Sequence, residues 1–176
     1  MSKHGATIKE RVPTVGKMMG RSLVLANCLV LMIAICVPAQ EGSPISLIIN
    51  EVMASNSSTK ADPQGQYDDW IEIYNHGSVS VDAGGLYLTD DPEKPAKWRI
   101  PTTDPTLTTI APGGYLLIWA DGDTEAPGLH ASFKLSAGGE ELRLLDADAA
   151  TPIDSMAFPE LPTDISQRGL RPQPNS

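Results

Sequence analysis

Residues 68–75 read Asp-Asp-Trp-Ile-Glu-Ile-Tyr-Asn. Successive side chains of a strand point to opposite faces, so Ile71 and Ile73 should face a core, and Trp70, Glu72 and Tyr74 the other way. β-branched and aromatic residues at a period of two are typical of a half-buried strand. This segment is therefore predicted to be a β-strand that covers a core with one face.

Similar short runs recur on both sides of this segment, separated by clusters of Gly, Pro, Asn and Asp. They predict further strands at residues 47–52, 79–82, 86–89, 97–100, 107–110, 115–120, 133–135, 141–146 and 153–158, with Ile49, Leu116, Ile118, Leu142 and Leu144 on inner faces. No window after the leader has the helical periodicity of 10 to 12 residues that a good helix shows. About nine short strands indicate an all-β antiparallel sandwich or barrel, with long polar loops at 56–67 and 121–132.

The first 39 residues have the organisation of a secretory signal peptide. Five basic residues and one acid precede an uncharged run at 22–37, and small residues stand at −3 and −1 of a cut after Ala39. A retained membrane anchor is the alternative, but the apolar run is 16 residues long and a spanning helix needs about 20. We expect a secreted or cell-surface protein whose helical leader engages the membrane only during export.

The leader also changes how the composition is interpreted. The whole chain has a net charge of −9, but the part after Ala39 keeps eight basic and 21 acidic residues, a net charge of −13. Both cysteines, Cys28 and Cys36, lie in the leader, so the exported part cannot use disulfides. A strongly acidic domain is poorly suited to phosphate backbones, which argues against nucleic acid as a partner. The predicted organisation is a leader at 1–39, a linker at 40–46, a sandwich at 47–168 and an irregular tail at 169–176.

Several segments in order resemble the lamin tail domain, an immunoglobulin-like β-sandwich found in secreted bacterial proteins. The matching segments are residues 49–56, 68–75, 85–91, 97–101, 111–121 and 129–142, and the resemblance extends over about 45–168. It implies an immunoglobulin-like fold and a binding or structural role. Family members usually continue after Asp-x-Ser with Gly-Arg and a Pro-Asp-Gly turn; here residues 164–166 are followed by Gln-Arg-Gly-Leu. This departure leaves the last strand unassigned and suggests a shortened relative of a longer exported protein.

Acids at strand ends and in loops indicate a candidate binding surface. It comprises Asp90 and Asp91 after one strand, and Trp119, Asp121 and Asp123 at the end of another. Trp119, at a strand end, is the tryptophan expected to be partly exposed, with core packing as the general role of the aromatics. These residues support an alternative function as a carbohydrate- or calcium-dependent adhesion module. Ca²⁺ takes 6 to 8 oxygen ligands, but the spacing of an EF-hand is absent, and a solvated acidic surface is the favoured interpretation.

A hydrolase is the other alternative function. Glu51 and Glu72 lie within strand patterns, where paired carboxylates could hydrolyse glycosides. Pairing with Lys97, Arg99 or Arg143 is the favoured interpretation. No Gly-x-Ser-x-Gly, His-Glu-x-x-His or P-loop motif occurs, and His76 and His130 are assigned turn and surface roles.

The sequence thus predicts a non-catalytic exported binding or scaffolding module. Its partner would be an extracellular protein or polysaccharide that the sequence does not identify. No enzyme activity, no cofactor and no metal site are expected.

Overall fold

A computed structural model describes residues 45–169, which form eleven strands and one short helix. The predicted leader, the first part of the linker and residues 170–176 lie outside the described residues. Within the described part, no helix has the length and apolar character needed to cross a membrane. The elements are β1 Leu47–Met53, β2 Trp70–Asn75, β3 Val81–Asp82, β4 Tyr87–Thr89, β5 Trp98–Arg99, α1 Pro105–Thr108, β6 Thr109–Ile110, β7 Tyr115–Ala120, β8 His130–Ala131, β9 Gly139–Leu145, β10 Pro152–Pro159 and β11 Gln167–Arg168.

The strands form two main sheets and a small third one. The first sheet has the order β11-β1-β2-β7-β8, the second the order β10-β9-β4-β5, and β3 pairs with β6. The ladders between these strands are antiparallel except that between β7 and β8, which is parallel. The predicted all-β, immunoglobulin-like sandwich is confirmed.

The main core contains side chains from both larger sheets. The predicted inner faces are confirmed, because Ile71 and Ile73 of β2 are fully buried and pack in one cluster with Ile118 of β7 and with Leu142 and Leu144 of β9. Burying a large aliphatic side chain stabilises the fold by about 1.5–3 kcal/mol, so this cluster accounts for much of the stability of residues 45–169, which contain no cysteine.

A second, smaller cluster lies on the other face of β2. Trp70 points to this face, whereas its neighbours Ile71 and Ile73 point into the main core. The second cluster contains Met53, Trp70 and Trp119, with Leu117 packed against it. Trp70 and Trp119 are direct partners in the ladder between β2 and β7. The prediction that Trp119 is partly exposed was wrong, since its side chain is only 5% exposed. Its strand-end position was misleading because the adjacent aromatic ring and Met53 enclose it.

Two predicted strands differ from the observed structure, and both differences have physical causes. The segment predicted at 107–110 begins as helix α1, since the Asp104 side chain accepts a hydrogen bond from the Thr106 N–H and Pro105 occupies the first turn. The segment predicted at 133–135 buries Phe133 and Leu135 but makes only one isolated bridge, between Lys134 and Asp121. Alternation therefore predicted the burial there but not the missing ladder.

Two strands form where none was predicted. His130–Ala131, inside the predicted second loop, pairs with Trp119 and Ala120 as β8. β11 pairs with Val52 and Glu51 at the edge of the first sheet. The last strand that the family pattern leaves unassigned is therefore present as a two-residue edge strand.

Candidate functional site

The two longest loops of the sandwich meet at one end of the first sheet. We call residues 56–69 and 121–130 together the loop junction. The Gln64 side-chain amide donates to the Pro127 carbonyl oxygen at 3.0 Å, and the Ala120 N–H donates to the Asp69 carbonyl oxygen at 2.7 Å. These contacts connect the loop before β2 with the strand and loop that precede β8.

Buried side-chain amide and carboxylate groups determine the shape of the first loop. Asn56 donates from Nδ2 to the carbonyl oxygens of Lys60 and Asp68, at 2.6 and 2.8 Å, and its Oδ1 accepts from the Thr59 N–H. Asp62 Oδ1 accepts the N–H groups of Gln64 and Gln66 at 2.9 and 2.7 Å. Asn and Asp commonly stabilise turns in this way, by replacing backbone partners with their own side-chain oxygens. The loop is therefore held in one conformation.

The loop junction brings together Asp62, Asp121 and His130. Each offers one ligand atom, and these atoms lie within 4.8 Å of one another. His130 Nδ1 lies 2.7 Å from Asp121 Oδ2, and His130 Nε2 lies 3.3 Å from the Pro127 carbonyl oxygen. The predicted surface role of His130 was wrong: the residue is 3% exposed, because β8 pairs with β7 and carries the ring inside.

The cluster carries more negative than positive charge. Burial raises the pKa of Asp68, and the neighbouring Asp121 and Asp62 carboxylates raise it further, while Lys134 and His130 act in the opposite direction. Asp62 Oδ2 and Asp68 Oδ2 are both buried and make no hydrogen bond within residues 45–169. Buried polar groups normally have a partner, so these two oxygens are conspicuous.

The structure separates the five residues of the predicted binding surface. Asp121 belongs to the cluster, and Asp123 is exposed beside it, with its N–H donating to Asp121 Oδ1 at 2.9 Å. Trp119 is buried beneath the loop junction. Asp90 and Asp91 lie in the turn after β4, where Asp90 pairs with Lys97. Asp91 pairs with Lys94 at 2.9 Å, and this hydrogen bond holds the pKa of Asp91 below its usual range.

Glu140 of β9 lies within electrostatic range of both the turn after β4 and the first loop. Burial raises the pKa of Glu140, and the charges of Asp90 and Asp69 raise it further, whereas the Ser136 N–H and Lys97 lower it. The Ser132 hydroxyl, just beyond the loop junction, donates to the Lys97 carbonyl oxygen at 3.2 Å. The turn after β4 is therefore connected to the segment that follows the loop junction.

Glu51 and Glu72 are direct partners in the ladder between β1 and β2. Glu51 accepts a hydrogen bond from the Ser166 hydroxyl and pairs with Arg168 at 3.3 Å, and Glu72 accepts from Asn50 Nδ2 at 2.6 Å. The predicted partners were wrong. Lys97 pairs with Asp90, Arg143 with Glu141, and Arg99 donates to the Gly85 carbonyl oxygen.

Two surface cavities lie elsewhere, one beside His76 and Val79 and the other beside Asp154 and Arg168. The residues that line these two cavities do not include Glu51 or Glu72.

Sequence reasoning missed Asp62 and misjudged His130. The segment Asp62-Pro63-Gln64-Gly65 has the composition of a turn and so predicts a loop, but nothing in it indicates that the Asp62 side chain is buried. The burial arises from the second loop, 60 residues further along the chain. No local pattern carries that information.

The sequence model of the Lamin Tail Domain family matches residues 40–160. No curated protein matches the chain. Among solved structures, the chain is similar to a DUF4876 family protein from Bacteroides thetaiotaomicron VPI-5482, with 15% identity and a TM-score of 0.37. That similarity covers 58% of this chain and 42% of the other, so this chain spans less than half of that protein's length.

Proposed function

The chain belongs to the lamin tail domain family, and we propose that it is an exported, non-catalytic binding module whose contact surface is the loop junction. In immunoglobulin-like sandwiches, loops gather at the ends of the sheets, and a rigid frame positions them for binding. The loop junction has this arrangement at the start of β2 and β8 and the end of β7.

One observation carries the proposal: in the chain alone, the two loops are hydrogen bonded to each other and to the first sheet. The Gln64 side-chain amide donates a hydrogen bond to the Pro127 carbonyl oxygen, and the Ala120 N–H donates one to the Asp69 carbonyl oxygen. A loop that is already ordered loses little conformational entropy on binding, so more of the contact energy appears as affinity.

One feature supports export. The family match begins at residue 40, directly after the predicted cut behind Ala39.

The charge of the domain bears on its partner. The part of the chain after that cut has a net charge of −13. Complementary charge speeds association and excludes wrong partners, so a basic face on an extracellular protein or polysaccharide suits the acidic end of the sandwich best.

The two alternative functions have less support. Trp70, Trp98 and Trp119 are each at most 7% exposed, so none offers a ring face on which a sugar could stack. Glu51 and Glu72 are held by Ser166, Arg168 and Asn50. A hydrolase that used these two glutamates would first have to release them from these contacts.

Site-specific photocrosslinking tests the proposed surface. A benzophenone side chain at the exposed position of Glu125 in the loop junction should capture a partner in growing cells of the producing organism. Val79 is the matched control, because it is 61% exposed and follows the opposite end of β2. Adducts from position 125 alone are expected. Equal adducts from both positions, or none from position 125, would contradict the proposed surface.

An unbiased hydrolase screen tests the non-catalytic role. The full chain and its Glu72→Gln variant should both be inactive. Activity that the variant loses would overturn the proposal in favour of the hydrolase.

A further inference from the structure

The loop junction contains a cluster whose chemistry is that of a metal site. We propose that Asp62, Asp121 and His130 together bind one divalent transition-metal cation, of the class of Zn²⁺, with Asp68 as a neighbouring acid. This inference goes beyond the proposed function and does not depend on it, because the cation would bind whether or not a macromolecular partner exists.

The first argument is the unpartnered Asp62 carboxylate. Asp62 is 7% exposed, and its Oδ1 already accepts two backbone N–H groups. Its Oδ2 is buried and makes no hydrogen bond within the described part of the chain, while the residue lies within ligand distance of Asp121 and His130. A buried carboxylate oxygen without a partner is costly, and a cation at this position would supply one.

The second argument is charge. Three carboxylates, those of Asp62, Asp68 and Asp121, meet beside one imidazole and within electrostatic range of Lys134. Like charges at short range destabilise a fold unless something compensates them. A divalent cation would compensate two of these negative charges at once.

The third argument is the contact between His130 and Asp121. A neutral imidazole holds one proton. With that proton on Nδ1, the ring donates to Asp121 Oδ2 at 2.7 Å, so the Nδ1 lone-pair direction points at a carboxylate. A metal ion bound by Nδ1 would take the place of this proton and be shared with Asp121 Oδ2. Zinc lies about 2.1 Å from each ligand atom, so tetrahedral ligand atoms are about 3.4 Å apart. On binding, the distance between His130 Nδ1 and Asp121 Oδ2 would therefore increase from 2.7 Å. The Asp62 carboxylate, whose ligand atom lies within 4.8 Å of the other two, would move closer to them.

The donor set distinguishes between cations. One imidazole with two carboxylates suits zinc-like ions, and three protein ligands with a fourth position for water or Asp68 is a common zinc arrangement. Ca²⁺ instead requires six to eight oxygen ligands and gains little from an imidazole. We therefore expect Zn²⁺ to bind most tightly, Mn²⁺ more weakly, and Ca²⁺ at millimolar levels or not at all.

Isothermal titration calorimetry on the full chain, first stripped with a chelator, tests the site. Zn²⁺ should bind one ion per chain, and Asp62→Asn should weaken binding by at least about tenfold, because the amide removes the negative ligand but keeps the turn acceptor. Asp123→Asn is the matched control: this residue is exposed in the second loop of the loop junction, beside Asp121, and its carboxylate is outside the cluster. The control should bind Zn²⁺ as the wild type does.

Co²⁺ provides a measurement on the wild type that does not depend on whether a variant folds. The ion should give the intense visible bands of a low-symmetry, four-coordinate site, and Zn²⁺ should abolish them. Absence of stoichiometric Zn²⁺ binding, equal binding by Asp62→Asn and wild type, or Ca²⁺ binding as tight as Zn²⁺ would overturn the proposal.

Discussion

Asp164 and Ser57 lie 107 positions apart in the chain, and the Asp164 carboxylate accepts both the N–H and the hydroxyl of Ser57, at 2.7 and 2.9 Å. It also accepts the N–H and hydroxyl of Ser58 and the hydroxyl of Thr59. Asp164 has a positive φ of 61°, a conformation with an energetic cost that these contacts offset. One partly buried aspartate thus fixes the segment after β10 to the first loop.

Asp164→Asn should lower the midpoint of urea unfolding at neutral pH, because an amide accepts at only one of its two terminal atoms. Glu160→Gln is the control, since Glu160 lies four residues earlier, is exposed, and has no described hydrogen bond to its side chain. Equal midpoints for the two variants would contradict this role of Asp164.

The same contact predicts a pH dependence. Hydrogen bonds from Ser57 and Ser58 hold the pKa of Asp164 far below its ordinary value of 3.8. The ionised carboxylate therefore stabilises the fold above that value. As the pH falls below it, the unfolded chain takes up the proton first and the contribution is lost. The difference in stability between wild type and Asp164→Asn should be largest above about pH 5 and shrink below about pH 4; a constant difference would contradict this.

The burial of the three tryptophans can be tested by fluorescence quenching. Trp70, Trp98 and Trp119 are at most 7% exposed, so iodide should quench the native emission weakly and the emission in urea strongly. Strong quenching of the folded protein would show that at least one ring is accessible. A Trp119→Phe variant would then identify whether Trp119 is the accessible ring, as a carbohydrate-binding surface would require.

Gly139 should tolerate no side chain. Its φ is +93°, and a Cβ would lie 2.6 Å from the Phe158 carbonyl oxygen. Gly113 is the matched control, because its φ is +70° and a Cβ there meets nothing within 4 Å. Gly113→Ala should lower the free energy of unfolding by about 1–2 kcal/mol through backbone strain alone. Gly139→Ala should lower the free energy of unfolding, measured by urea denaturation, by clearly more than Gly113→Ala does. Equal decreases for the two variants would show that the overlap of the new Cβ with the Phe158 carbonyl oxygen is relieved without an energetic cost.

The export prediction concerns residues outside the described part of the chain. Mass spectrometry of the protein from the culture medium or cell surface should find Gln40 at the N-terminus. Ala39→Leu should block the cut, because the −1 position requires a small residue. An unprocessed Met1, or a cut elsewhere in the wild type, would show that the leader prediction is wrong.

The predictable parts of this fold are those that depend on local alternation. Ile71, Ile118 and Leu142 could be assigned to inner faces because a strand repeats every two residues and a buried face must be apolar. The immunoglobulin-like fold followed from the resemblance to the lamin tail domain, and the family match over residues 40–160 agrees with it.

The unpredictable parts depend on contacts between distant segments. Phe133 and Leu135 alternate like a strand but have almost no ladder partner, and His130 lies in a polar stretch but pairs with β7. Asp62 is buried by a loop that begins about 60 residues later. Asp62 and His130 of the candidate site are brought together by such distant contacts, which explains why the sequence indicated Asp121 but not these two residues.

The loop junction is proposed to hold one cation through Asp62, Asp121 and His130, which an ordinary solvated acidic surface would not do. Anomalous X-ray diffraction at the zinc absorption edge, from crystals of the chain grown with Zn²⁺, tests it most directly. A single strong peak coordinated by Asp62, Asp121 and His130 is the predicted result. Peaks confined to other surface acids, or no peak at the loop junction, would contradict the claim.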